Sequence, residues 1–307
     1  MWATLTFLGT SAGVPTKTRN VSALALQPIQ SKNWILFDCG EGTQYRLMQT
    51  ALSLYHLDTI FITHLHGDHI YGLFGLLASR GMTRATTPLT IYAPKGLKEM
   101  VHCVMRASQL HLPFELKIHT LIPNRTIACQ DMRIDPIPLS HSIPSYGFVV
   151  HMAPKPGHLN INKIRALGIP EGPLLARIQR GESIVLDDGR QFDARELVGP
   201  PRPGPVVAIG GDNDDPMRFA PFAPYDLMIH EATYTQYDFD RLPRKFKHTT
   251  AKQLGCAAQT MGVEHLILTH ISPRYDTPER LNELLEEAKK CFDGRITIAN
   301  DLLEIRI

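Results

Sequence analysis

Between Thr63 and His69 the chain reads THLHGDH, so that His64, His66, Asp68 and His69 crowd into one short run. Imidazole and carboxylate together suit zinc, and the absence of a thiolate among them argues against a closed structural site. Gly67 lets the backbone turn tightly enough for the flanking imidazoles to face different centres. Four side chains do not fill two metal sites, and further candidates stand where strand-like stretches stop. His141 follows RIDPIPL, Asp212 ends VVAIGGD, and His270 follows HLILT. Taken singly, each reads as an ordinary capping or surface residue. Taken with the cluster, five histidines and two aspartates supply two zinc ions with three terminal ligands each and one bridging carboxylate, leaving room for water and substrate. Asp214 and Asp215 lie in the same GGDNDDP run as alternatives, and the strand pattern favours Asp212. A pair of metals suits displacement at phosphorus or attack at an acyl carbon. The chemistry is hydrolytic, and it does not by itself choose the ester.

Such ligands need rigid elements behind them. Apolar alternation and β-branched runs predict strands at TLTFLG, WILFDCG, DTIFITH, LTIYAP, VVAIGGD, DLMIHEA, HLILTH and RITIAN. DTIFI leads directly into the histidine cluster, which therefore sits on a loop at a strand's C-terminal end. Between strands, PKGLKEMVHCVMRAS carries Leu97, Met100, Val101, Val104 and Met105 on one helical stripe. TTAKQLGCAAQTMG predicts a helix capped by Thr249 or Thr250, and TPERLNELLEEAKKCF one with Thr277 as N-cap and Pro278 as first helical residue. Strands and helices alternate along the chain, which implies an α/β layered fold. Residues 152–205 break the pattern with APKPGHLN, GIPEGPL and GPPRPGP, and read as an insertion with only short helical pieces.

The remaining composition sets bounds. At 307 residues there is chain enough for an ample core, and 43% hydrophobic with 20% charged residues is ordinary for a globular protein. No apolar run approaches the roughly 20 residues of a membrane span. MWATLTFLGTSAG reads as a strand rather than a signal peptide, so a cytoplasmic protein is expected. Five scattered cysteines without a CxxC pair are expected to be reduced thiols. The net charge of +2 neither demands nor excludes nucleic acid. Within 152–180, however, Lys155, Lys163, Arg165, Arg177 and Arg180 face a single acid, Glu171, a balance suited to a polyanion.

HxHxDH followed by distant His, Asp and His resembles the metallo-β-lactamase superfamily, which implies an αββα sandwich with a dinuclear zinc site at one edge of its two sheets. FLGTSAGVPTKTRN (7–20), LFDCGEGTQ (36–44), HEAT (230–233), KHTT (247–250) and LTHISPRY (268–275) narrow this to a resemblance, over essentially the whole chain, to the transfer-RNA 3′-processing endoribonucleases, the ribonuclease Z family. KPGHLN and GIPEGPL resemble the flexible arm, or exosite, of its short bacterial form, so the resemblance implies one domain over 1–307 with an exosite arm at 152–205. It further implies two Zn2+ per subunit, or Mn2+ or another divalent metal, one held by His64, His66 and His141 and the other by Asp68, His69 and His270, with Asp212 bridging. Asp68 would be the general base, and His248, beside Glu231, would touch the scissile phosphate and protonate the departing 3′-oxygen. A histidine beside a carboxylate suits that role on chemical grounds. His230 would orient a ligand. Lys17 and Arg19 would hold RNA backbone near the acceptor end, while Lys155, Lys163, Arg165 and Arg177 of the arm would grip the phosphates of precursor tRNA. A homodimer is implied as well. The chain departs from the family in placing Asn213 after Asp212, where GDT is usual. Competing readings are a small-molecule phosphodiesterase or thioesterase of the same superfamily, with the arm as a lid, and a non-catalytic RNA-binding protein.

Overall fold

The computed structural model describes residues 1–307. Two compact units emerge, one made of Met1–His151 with Pro205–Ile307 and the other of Met152–Gly204.

The larger unit holds two seven-stranded sheets. The first is built from β1 (Ala3–Gly9), β2 (Ala23–Pro28), β3 (Trp34–Phe37), β4 (Leu57–Phe61), β5 (Leu89–Ala93), β6 (Leu116–Thr120) and the chain-terminal β16 (Glu304–Arg306), in the order β16-β1-β2-β3-β4-β5-β6. The second takes β7 (Ile127–Cys129), β8 (Met132–Leu139), β9 (Ser145–Met152), β12 (Val206–Ile209), β13 (Leu227–Glu231), β14 (His265–Thr269) and β15 (Arg295–Ile298), in the order β15-β14-β13-β12-β9-β8-β7. Strands β3 to β6 run parallel, as do β12 to β15. Parallel neighbours need crossovers, and helices supply them. In the first sheet these are α2 (Gly67–Ile70), α3 (Leu73–Met82) and α4 (Leu97–Ala107), after the short α1 (Thr43–Leu47). In the second they are α7 (Gln236–Asp240), α8 (Ala251–Thr260) and α9 (Pro278–Lys289).

Burial explains the layering. Leu73, Leu76 and Leu77 of α3 and Leu97 and Val101 of α4 pack with Leu36, Ile60 and Ile91 of the first sheet. Ala251, Leu254 and Ala258 of α8 and Leu284 and Ala288 of α9 pack with Met228, Leu266 and Leu268 of the second. Between the sheets, the Phe148 ring lies 5.5 Å from that of Phe37 and 5.2 Å from that of Phe61. Each such buried side chain contributes roughly 1.5–3 kcal/mol. The result is the αββα sandwich, with the expected strands and the three expected helices in place.

Caps fix where the helices near the site begin. Thr250 and Gln253 form a reciprocal capping box on α8, and the Thr277 side chain caps α9 ahead of Pro278. Helices α8 and α9 approach closely: a Cβ on Gly255 would stand 2.4 Å from the Ala288 carbonyl oxygen. That approach brings Cys256 and Cys291 to a Cα separation of 4.7 Å, and the two are joined as a disulfide. The expectation of five reduced thiols is corrected accordingly. It failed because a separation of 35 residues carries no local motif. Cys39, Cys103 and Cys129 are free.

The smaller unit contains α5 (Ile161–Ala166), α6 (Pro173–Gln179) and a two-strand hairpin of β10 (Ile184–Val185) and β11 (Gln191–Phe192). Ile164, Ile169, Ile178, Ile184, Ala194 and Leu197 form its own apolar cluster. Near its two ends, Lys155 and Arg202 exchange backbone hydrogen bonds of 3.0 and 2.9 Å.

Candidate metal centre

The loop after β4 and the first turn of α2 carry His64, His66, Asp68 and His69; His141 follows β8, Asp212 follows β12, and His270 follows β14. All seven converge at one end of the sandwich. The donor atoms of His64, His66, His141 and Asp212 lie within 4.8 Å of one another, and so do those of Asp68, His69 and His270. Asp212 stands between the two groups. Its Oδ2 is 3.7 Å from Nε2 of His64 and 3.9 Å from Nε2 of His141, whereas its Oδ1 is 3.3 Å from Nε2 of both His69 and His270. Nε2 of His64 and Nδ1 of His66 are 3.0 Å apart, and Asp68 Oδ2 is 3.4 Å from His270 Nε2.

These separations suit a metal. With metal–nitrogen bonds near 2.0–2.1 Å, ligand atoms around a tetrahedral ion stand roughly 3.3 Å apart. His69 Nε2 is buried and makes no hydrogen bond of ordinary geometry, an orphan that coordination would satisfy. Burial, followed by the neighbouring His69, pushes the His64 imidazole well below its usual range, toward the neutral form that binds metal. Burial alone would raise the Asp212 carboxyl, but the imidazoles of His270, His69 and His64 hold it well below the usual carboxylate range. The donor set thus fits a divalent metal.

Other groups orient these side chains. Asp38 Oδ2 sits 2.7 Å from His69 Nδ1, and its two oxygens accept from the Thr63 hydroxyl and amide at 2.8 Å each. His141 Nδ1 donates to the Lys247 carbonyl at 2.9 Å, and His270 Nδ1 faces the Thr233 hydroxyl at 3.1 Å. The Gly13 amide donates to Asp68 Oδ2 at 2.9 Å. Asp38 lies in LFDCGEGTQ and Gly13 in FLGTSAG, and neither residue is among the expected site residues. The signal for both is the motif itself, since nothing local ties either residue to a ligand.

His248, just before α8, turns Nδ1 toward Glu231 Oε2 at 2.9 Å, and lies 3.8 Å from Asp212 Oδ2. Burial alone would lower the His248 imidazole, and the Glu231 carboxylate overrides it, raising the group above its ordinary value. Burial would raise Glu231 in turn, but His248 and its hydrogen bond hold it down at about 2. Glu231 also accepts from the Asn213 amide and the Thr233 hydroxyl, each at 2.5 Å. Asn213 does not disturb the site: its buried side chain accepts from the Ser140 and Asp215 amides and donates to the Asp215 carbonyl, clasping the loop behind Asp212. Asp215 is occupied by the Met217 amide and Arg218, and Asp214 lies 4.0 Å from Lys247, so neither takes the place of Asp212. His230 is fully buried and faces the Asn213 amide at 3.2 Å, one step removed from the cluster.

The residues expected to touch RNA divide. Lys17 is exposed. Arg19 is 2% exposed, its guanidinium donating to the Thr10 hydroxyl, the Ala299 carbonyl, Asn300 and Asp276. Arg19 therefore braces its own loop, whereas the resemblance implies that it holds RNA backbone. In the smaller unit Lys163 pairs with Glu196, Arg165 with Glu171 and Arg177 with Glu182, at 3.5, 3.0 and 3.0 Å on the surface. Beside the cluster opens a cavity of about 440 Å³, walled by His66, Asp68, His141, Asp212, His248 and His270 together with Tyr234 and the segment 244–247.

Comparison with known proteins bears on the fold and the family. A family model described as Anti-Pycsar protein Apyc1 matches residues 3–155, just under half of the chain. A metallo-β-lactamase fold protein from Bacillus subtilis superposes with a TM-score of 0.68 at 18% identity, covering 99% of both chains, which is likeness of fold. Human tRNase Z, short form, superposes with a TM-score of 0.69 at 26% identity, again over 99% of both chains. The Ribonuclease Z of Brevibacillus brevis is 39% identical over 308 aligned residues, covering 99% of this chain and 96% of that one. With that identity spread end to end, the chain belongs to the ribonuclease Z family.

Proposed function

We propose that the protein is a zinc-dependent endoribonuclease that removes 3′ trailers from precursor tRNA. The observation that carries this reading is Asp212, whose two oxygens face two different sets of imidazoles. His64, His66 and His141 would hold one Zn2+, Asp68, His69 and His270 the other, and Asp212 would join them; Mn2+ or another divalent ion suits the same donors. Metals there supply Lewis acidity toward a phosphoryl oxygen and bring a water's pKa toward neutrality.

This chain's own residues account for the protons. Asp68, steadied by the Gly13 amide, accepts a proton from the attacking water. Attack at phosphorus breaks the bond to the 3′-oxygen, so the trailer keeps a 5′-phosphate and the tRNA a 3′-hydroxyl. His248 gives its proton to the departing 3′-oxygen through Nε2, while Glu231 holds Nδ1. Lys17 and, in the smaller unit acting as an exosite arm, Lys155, Lys163, Arg165 and Arg177 meet phosphates at a distance from the cut; Arg19 serves from within. A homodimer belongs to the same reading, and exposed Tyr45 in α1, Met48 at its end and Tyr71 after α2 are apolar side chains that a second copy could cover. No helix is long and apolar enough to cross a membrane. A cytoplasmic location is consistent with a precursor tRNA substrate.

The test incubates the zinc-loaded protein and its Asp68→Ala variant with a 3′-extended precursor tRNA and maps both product ends. One Asp68-dependent cut leaving a 3′-hydroxyl is expected. An intact precursor alongside hydrolysis of a small chromogenic phosphodiester would replace this reading by the small-molecule one.

A further inference from the structure

The segment 242–247 between α7 and α8 reads LPRKFK, and its residues 244–247 form one wall of the cavity beside the cluster. Phe246 in it is 49% exposed, a large aromatic ring on the lining of a polar site. Its backbone is held on both sides. The His248 amide donates to the Phe246 carbonyl at 3.0 Å, and the Lys247 carbonyl accepts a hydrogen bond from His141 Nδ1 at 2.9 Å. The ring is thus presented by the same backbone that orients His141 and His248.

The neighbouring cations differ in what they are free to do. Lys245 is committed to the Phe239 carbonyl and lies 4.8 Å from the Phe239 ring. Lys247 reaches Ser140 at 3.4 Å and Asp214 at 4.0 Å. Arg244 makes no ion pair, is exposed, and places its guanidinium 5.8 Å from the Phe246 ring. A half-exposed aromatic ring beside a guanidinium that makes no ion pair is the pairing that single-stranded nucleic acid uses, because every base has a π-face and every nucleotide a phosphate.

We propose that Phe246 is a positioning residue whose ring stacks on the base of a nucleotide flanking the scissile phosphodiester, with Arg244 taking that nucleotide's phosphate. The inference rests on the RNA-cleaving reading and deepens it. A small ester substrate would leave this ring without a partner.

The test compares wild type, Phe246→Ala and Phe246→Tyr on a 3′-extended precursor tRNA, intact and with an abasic nucleotide on either side of the cut. Phe246→Ala should raise KM about tenfold, a loss of about 1.4 kcal/mol that stacking on one base can supply, with kcat little changed. Phe246→Tyr should restore KM. At one of the two positions the abasic substrate should cost wild type a similar factor and cost Phe246→Ala nothing more. An unchanged KM in Phe246→Ala overturns the proposal while the function stands, and so does an abasic penalty equally large in Phe246→Ala and wild type at both positions. A wild-type protein that leaves the intact precursor uncut overturns the RNA-cleaving reading, and this inference with it.

Discussion

Asp38 and His69 are 31 residues apart in the chain, and a carboxylate oxygen of the first stands 2.7 Å from Nδ1 of the second. This pairing decides which ring nitrogen of His69 is left for the cluster. With Nδ1–H turned to Asp38, Nε2 presents its lone pair toward Asp68 and Asp212. Asp38 is itself pinned by Thr63 through two hydrogen bonds, so the imidazole inherits its direction from β3 and β4 together. Asp38→Asn keeps the shape and removes the charge. It should weaken metal affinity by roughly 10–100-fold, read by competition with a chelator. Affinity equal to wild type would show that His69 is oriented by packing alone.

Glu231 works on the other side of the cluster. It holds His248 Nδ1 and also accepts the Asn213 amide next to Asp212, so one carboxylate orients the proton donor and steadies the loop of the shared ligand. Glu231→Gln can still accept from Asn213 but no longer favours a charged His248. The expected outcome is a fall in kcat on precursor tRNA on the order of 100-fold, with metal content retained. A loss of metal in step with activity would assign Glu231 to building the site instead.

How much of the site is legible in the sequence follows from distance along the chain. THLHGDH is legible because four ligands share one turn, and His141, Asp212 and His270 because each ends an apolar run. Asp38 hides in plain view, since nothing local says that an aspartate after a strand will reach a histidine on the next loop. Arg19 misleads because an arginine in a Thr- and Lys-rich loop reads as a surface cation. Its partners at Thr10, Asp276, Ala299 and Asn300 come from three separate parts of the chain. Helix α3, LFGLLASRGM, escapes the periodicity because its two glycines are weak helix formers and its apolar residues extend well around the helix. In β8, Pro136 and Pro138 mask a strand that runs from Met132 to Leu139.

The smaller unit offers a clean excision. Lys155 and Arg202 already exchange two backbone hydrogen bonds, so replacing residues 156–201 by a short Gly-Ser turn preserves the junction. The apolar cluster of that unit is built from its own residues. Cleavage of precursor tRNA should weaken strongly and its salt dependence should flatten by about 0.7–0.9 for each phosphate no longer bound, while a chromogenic phosphodiester is still hydrolysed. Equal losses on both substrates would remove the exosite assignment.

A last prediction concerns stability at the end of the sandwich formed by the first residues of β14 and β15. His265 pairs in register with Arg295, and its Nε2 lies 2.9 Å from the Thr297 hydroxyl. Arg306, Asp226 and Glu304 line the same hollow. Burial, with Arg295 beside it, lowers the His265 imidazole to about 4. In the unfolded chain a histidine titrates near 6.5, so from about pH 4 to 6.5 the unfolded state binds more protons than the folded one. Stability from this group is therefore complete above that window and is lost as the pH falls through it. His265→Gln keeps a hydrogen-bonding group for Thr297 and removes the titration. Its Tm should fall less steeply than wild type as the pH is lowered across the window, with the two proteins compared in the same metal-loaded state. Parallel acid limbs would mean that Arg295 moves away when His265 charges, and that the strand pair carries no pH dependence of its own.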